Sequence, residues 1–224
     1  MQIALFHNTP SGGAKRAIYE WTQRLASRHE IDVYTLSSAD HTFCDIRPFV
    51  QRHQVFDFVP HRLFRSPLGR LNQGQRWRNL GTLLQIGRQI GDQINHGNYD
   101  VVFAHTCLYT HIPTVLQFVK RPTVYYLHEP FGRLNARHFQ RPYLQQHTWQ
   151  ILLNQIDPLL HLYNQRLATI QHRGVHRVQR LLANSQFTKA RVESAFAVET
   201  QLCHYGVNTA QFYPMPELPR EQVL

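Results

Sequence analysis

Lysine is almost missing from this chain. Of 24 basic residues among 224, only Lys15, Lys120 and Lys189 are lysines, and the rest are arginines. Acids are also few, 14 Asp and Glu in all, which leaves a formal net charge of +10. Cys44, Cys107 and Cys203 are odd in number, scattered and never in a Cys-x-x-Cys pair. That excludes a zinc ribbon or a disulfide framework and suits a reducing, cytoplasmic setting. No run approaches the roughly 18 apolar residues of a membrane helix. The opening residues Met1–His7 lack the basic start and long apolar stretch of a secretory signal. The dinucleotide fingerprint, the Walker phosphate loop, the His-Glu-x-x-His zinc motif and the serine nucleophile elbow do not occur. What is present is a 42% hydrophobic composition, enough for a buried core and too much for a disordered chain. An arginine-rich excess fits an anionic partner such as a nucleotide, a phospholipid surface or a nucleic acid, because the guanidinium fork pairs with phosphate and carboxylate. It fits a soluble protein of alkaline pI equally well.

The pattern along the chain alternates short apolar runs with amphipathic stretches. Residues 2–7 read as a buried strand, broken by Asn8-Thr9-Pro10-Ser11-Gly12-Gly13. A helix follows, with Ala17, Ile18, Trp21 and Leu25 on one face. Ile31–Leu36 is the second expected strand and Val50–Val59 the third, with loop over 60–75. Residues 76–96 repeat Leu83, Ile86, Ile90 and Ile94 at helical spacing, and Gly87 and Gly91 weaken that helix by about 1 kcal/mol each. Asp100–His105 and Thr123–His128 are the next strands, the first followed by a short helix. Residues 143–175 read as helical with a break at Asp157-Pro158. Arg180–Ala183 is the sixth strand, Ser185 the N-cap of a helix to Phe196, and Gln201–Tyr205 the seventh strand. Alternation of this kind predicts an α/β, doubly wound, mainly parallel sheet of about seven strands.

Such sheets bind ligands beyond the carboxyl ends of their strands. The expected ends are His7-Asn8, His105-Thr106, His128-Glu129, Asn184-Ser185 and Tyr205-Gly206. Three carry histidine, which donates, accepts or takes a charge near neutral pH, although strands exit into polar residues in any case. The loop Ser11-Gly12-Gly13-Ala14-Lys15-Arg16 fits close approach of a phosphate to a helix start, and equally a plain tight turn. His172 and His176 share a helix face without a third ligand. Residues 60–80 hold Arg62, Arg65, Arg70, Arg76 and Arg78 with interleaved Leu63, Phe64, Leu68, Leu71 and Trp77 and no acid. That mixture suits an anionic membrane or a polyanion. Arg133, Arg137 and Arg141 form a second basic loop. Ordinary solvated surface accounts for both equally well.

Four segments in order carry a resemblance. They are His7-Asn8-Thr9-Pro10-Ser11-Gly12-Gly13-Ala14-Lys15-Arg16, Tyr125-Tyr126-Leu127-His128-Glu129-Pro130, Leu182-Ala183-Asn184-Ser185-Gln186-Phe187-Thr188-Lys189 and Tyr205-Gly206-Val207-Asn208-Thr209-Ala210-Gln211-Phe212-Tyr213-Pro214. Together they resemble the N-terminal domain of a family 4 glycosyltransferase of the GT-B fold. The resemblance implies a Rossmann-like half, residues 1–213, that holds the acceptor, with 214–224 as a linker stub. It also implies retaining transfer from a nucleotide-sugar co-substrate with no essential metal or other cofactor. His128 matches the histidine that lies against the transferred sugar. Gly12 and Gly13 match the glycine loop, and Lys15, Thr106, Glu129, Asn184 and Ser185 are the further donor- or acceptor-binding candidates. The family's diphosphate-neutralising cations and paired glutamates belong to a C-terminal domain not found in these 224 residues. Expected partners are therefore a sugar or lipid-linked acceptor, a separate nucleotide-sugar domain or subunit, and the inner face of a membrane peripherally, with no nucleic acid. The competing expectation is a non-catalytic module that recruits a protein partner or an anionic surface.

Overall fold

The computed structural model describes residues 1–64, 71–129, 157–210, 212 and 213. Seven strands form one sheet: β1 (Gln2–Asn8), β2 (Glu30–Leu36), β3 (Arg52–Phe56), β4 (Val101–Cys107), β5 (Thr123–Leu127), β6 (Arg180–Ala183) and β7 (Gln201–Leu202). Their order is β3-β2-β1-β4-β5-β6-β7, and every neighbouring pair runs parallel. The order reverses direction between β1 and β4, which is the switch point where such sheets open a crevice. The described helices are α1 (Gly13–Ala26), α2 (Asn72–His96), α3 (Pro158–Val175) and α4 (Gln186–Phe196).

Both sheet faces are covered, which is why the strands are continuously apolar rather than alternating. Ile3 and Leu5 of β1 pack with Ile18 of α1, Ile31, Val33 and Ile46. The intervening Ala4 and Phe6 face the other way, into a larger core with Leu83, Ile86, Ile90 and Ile94 of α2 and Val192 of α4. A smaller cluster of Leu80, Leu167 and Ile170 joins α2 to α3. Among the described residues no helix is long and apolar enough to cross a membrane.

Three elements differ most from the sequence reading, and β4 also runs on to Cys107, which puts Thr106 inside the strand. The third strand is Arg52–Phe56 rather than Val50–Val59, because Arg47–Phe49 coils into a 3-10 turn with proline in it and Phe58 leaves the ladder to enter the core. Helix α2 begins at Asn72, not 76, where Asn72 exchanges hydrogen bonds with the backbone of Phe64 (2.6 and 3.0 Å). The last strand pairs only through Gln201 and Leu202. Beyond it Cys203 donates its backbone N–H to Ala183 (2.8 Å), and His204 bonds the Asn184 carbonyl (3.0 Å). The expected glycine weakness in α2 has a compensating cause. Gly87 sits against Thr114 and Gly91 against Phe118, where a methyl group would come within 2.4 and 2.7 Å of them. The two glycines therefore let the 3-10 turn Thr114–Gln117 lie directly on α2. The expected helix over 143–156, the basic loop at Arg133, Arg137 and Arg141, Arg65, Arg70 and the linker 214–224 lie outside the described residues.

Candidate functional site

Strand alternation decides which way each strand-end residue points. His7 has the parity of Ile3 and Leu5, His105 that of Phe103, and His128 that of Tyr126. All three therefore face α1. Trp21 of α1 touches this layer directly. Its ring stacks on His105 (centroids 5.5 Å apart, planes at 20°) and meets Tyr126 edge-on at 4.3 Å. It also lies 6.0 Å from both His128 and Tyr205.

Within the layer runs a chain of hydrogen bonds. His105 Nδ1 lies 3.1 Å from His128 Nε2, and His128 Nδ1 lies 2.7 Å from the Tyr205 hydroxyl. Both ring nitrogens of His128 are thus engaged inside the protein. His128 is 7% exposed and Tyr205 40%, and the Tyr205 hydroxyl also meets the Asn184 side chain. His105 is wholly buried, and its Nε2 has no hydrogen-bond partner among the described residues, lying instead in the aromatic box with Phe103 and Trp21. Burial disfavours the charged imidazolium. It lowers His128 from 6.5 to about 4 and holds His7 and His105 well below the usual histidine value. At neutral pH the layer is therefore uncharged. It can relay a hydrogen-bond preference but is a weak proton acceptor.

The other sequence-derived candidates separate into three groups. Gly12 adopts φ 145°, a conformation that glycine tolerates and side chains do not. It precedes α1 without a side-chain cap, so no N-cap side chain satisfies the amides of the first helical turn. Gly13 begins the helix and lines a groove of about 350 Å³ with Arg16, Trp21, Arg24, Tyr205 and Phe212. The second group supports His128 or its strand. Asn184 donates to the His128 carbonyl at 2.6 Å and accepts from Thr188 Oγ1 at 2.8 Å. Ser185 caps α4 through the Thr188 amide at 3.1 Å. The third group points elsewhere. Lys15 is 1% exposed and turns inward, its Nζ 3.3 Å from His7 Nε2, so it does not line the outer loop surface. Desolvation lowers its pKa. Thr106 has the opposite parity to His105 and sits beside the Tyr125 hydroxyl. Glu129 is exposed just past His128.

Trp21 is the residue whose role the sequence concealed, and Tyr205 was marked only as one of the expected ligand-side strand ends. Helical spacing marks Trp21 as core, and Tyr205 reads as the end of a strand. The available signal was parity: three histidines on one sheet face call for an aromatic cover from the helix above them. Among the described residues no group of three or more His, Cys, Asp or Glu could hold a metal ion.

The sequence model of Glycosyltransferase Family 4 matches residues 11–211, which contain all of this site except His7. The chain belongs to glycosyltransferase family 4. Among solved structures it is similar to Anabaena HepE in complex with UDP-glucose, at TM-score 0.53 and 16% identity over 96% of this chain and 47% of that one. It is similar to Medicago truncatula UGT71G1 with UDP-glucose at TM-score 0.51 and 11% identity, over 98% of this chain and 54% of the other. Arabidopsis thaliana UGT89C1 with UDP-L-rhamnose matches at TM-score 0.51 and 14% identity, over 98% and 53%. At these identities the likeness is one of fold, the Rossmann-like sheet of GT-B glycosyltransferases, and this family 4 chain spans about half the length of each. No curated protein matches it.

Proposed function

We propose that residues 1–213 are the acceptor-side half of a glycosyltransferase that moves a sugar from a nucleotide-sugar to an acceptor with retention at the anomeric carbon. Residues 214–224 begin the connection to a nucleotide-sugar domain, supplied by the same polypeptide or by a partner subunit. The acceptor, a sugar or a lipid-linked sugar, sits at the carboxyl edge of the sheet. The observation that carries this reading is the His105–His128–Tyr205 chain, whose Tyr205 lines the groove beside Gly13, in a chain of this family.

In this reading the neutral His128 fixes the Tyr205 hydroxyl, which meets a hydroxyl of the bound sugar, while the Gly12–Gly13 loop admits the donor phosphates closely. Asn184 holds the His128 backbone in place. Stabilisation of the leaving diphosphate, commonly the largest catalytic contribution, falls to the nucleotide domain and needs no essential metal. Three free cysteines and a nucleotide-sugar donor fit work in the cytoplasm.

The test is sugar transfer by the full gene product from UDP-glucose and related nucleotide-sugars to sugar and lipid-linked acceptors, with the product anomer read by NMR. His128→Ala should abolish transfer while the unfolding transition stays cooperative. Unchanged turnover removes His128 from the site, and an inverted product overturns retention. Robust transfer by the 224-residue chain alone overturns the division of labour between halves.

A further inference from the structure

We propose that the face built from residues 59–64, the first turns of α2 and the first half of α3 docks on an anionic lipid bilayer. Between Phe58 and Gly91 the sequence has no Asp or Glu, and α3 has none over Pro158–Val175. The structure brings these two acid-free stretches together: the Arg166 guanidinium of α3 lies over the Trp77 ring of α2, 4.2 Å from its centroid. Arg62 and Arg76 are exposed beside them.

Apolar side chains stand out among these cations. Val59 is 83% exposed, Leu63 51%, Phe64 41% and Trp77 38%. They are displayed by a fixed backbone. His61 is held to Asn79 Oδ1 through its amide (3.0 Å) and its ring (2.7 Å), and Phe64 is held to Asn72. Phe58 anchors the start of the segment by turning inward onto Tyr109 (4.9 Å). Among the described residues these side chains stay exposed, whereas Phe58 of the same segment is buried. Beneath it a crevice of about 330 Å³ is lined mostly by apolar side chains, Leu63, Leu80 and Leu83 among them, together with His61, Asn79 and Arg76. Such a lining suits an acyl chain beside a phosphate headgroup. Interfacial Trp with flanking Arg is the side-chain chemistry of the bilayer boundary.

Position strengthens the assignment. Residues 59–64 follow the carboxyl end of β3, and in a parallel sheet the N-terminal ends of α2 and α3 lie at the carboxyl edge. The face therefore lies at the same end of the sheet as the His128 site. A bilayer there would present a lipid-linked acceptor, an inference that rests on the transferase reading for its purpose but not for its chemistry.

Docking is measured without any transfer assay, by cosedimentation of the chain with vesicles, so its failure leaves the transferase reading standing. On phosphatidylcholine vesicles with about 30% phosphatidylglycerol the chain should bind, and binding should fall with salt and vanish on pure phosphatidylcholine. Arg62→Glu with Arg76→Glu should weaken binding by about 25-fold or more, taking about fivefold for each basic residue lost. Leu63→Ser with Phe64→Ser should also weaken it at unchanged net charge. Arg28→Glu with Arg180→Glu makes the same change in net charge at the amino edge of the sheet and should leave most binding intact. Equal loss from both arginine pairs would reduce the effect to bulk charge and overturn the proposal. So would self-association in sedimentation velocity that the Leu63 and Phe64 substitutions abolish, which would make the face a contact between copies of the chain.

Discussion

Acidification should destabilise this protein well above the pH at which its carboxylates titrate, and the histidine layer sets the size of the effect. His128 titrates near 6.5 when unfolded and at about 4 in the fold, because burial penalises its charged form. Between those values the unfolded chain binds a proton that the folded chain refuses, so stability is full above 6.5 and is lost as pH falls toward 4. At 1.36 kcal/mol per pH unit, His128 alone removes about 2 kcal/mol by pH 5 and about 3 kcal/mol by pH 4. His7 and His105 are wholly buried and depressed in the same direction, so they add to the loss. The neighbouring cation Lys15 depresses both rings further. Against a domain stability of about 5–15 kcal/mol, this is a large fraction. The assay is urea unfolding of the wild-type chain and of His128→Gln at closely spaced pH values from 8 to 4.5. The variant should be less stable at pH 8 and lose less on acidification. A wild-type stability that stays within about 0.5 kcal/mol between pH 7.5 and 5 would refute the neutral, buried layer.

Tyr205→Phe keeps the ring against Trp21 and His128 but removes the hydroxyl bonded to His128 Nδ1. It should cost about 1 kcal/mol of stability and lower sugar transfer about tenfold or more in kcat/KM; undiminished transfer would place the reactive groove elsewhere. Gly87→Ala forces a methyl to 2.4 Å from Thr114 Oγ1, which itself donates to the Leu83 carbonyl at 2.7 Å. It should destabilise by about 1–3 kcal/mol in thermal unfolding. Gly81→Ala on the same helix meets nothing within 4 Å and should stabilise by about 0.5–1 kcal/mol. If both changes act alike, the close approach of α2 to Thr114 is wrong. Gly12→Ala, at φ 145° in open space, should cost about 1–3 kcal/mol through backbone strain alone.

The order of elements was legible in the sequence because local forces write it there. Buried parallel strands must be apolar on both faces, as Ile3–Phe6 is, and helices must carry one apolar stripe, as Leu83, Ile86, Ile90 and Ile94 do. The Ser185 cap could likewise be read in place, because a cap is satisfied within one helical turn. The family followed from four ordered segments, and the sheet agrees with it. What the sequence left open depends on contacts between distant segments. Lys15 looked like part of an anion-binding loop, yet α1 turns it inward onto His7. Gly87 and Gly91 looked like helix-weakening residues, and Thr114 and Phe118, more than twenty positions away, reveal them as points of close packing. Trp21 and Tyr205 acquire their meaning from distant contacts, since the Trp21 ring reaches Phe103 and His105 of β4 and Tyr126 of β5, and Tyr205 reaches His128. The sequence by itself determined a doubly wound sheet whose strand ends carry histidine. Only the tertiary structure decided that three of those histidines share one buried face and stay uncharged. Their desolvation comes from side chains of other strands and of α1, and no local pattern contains it.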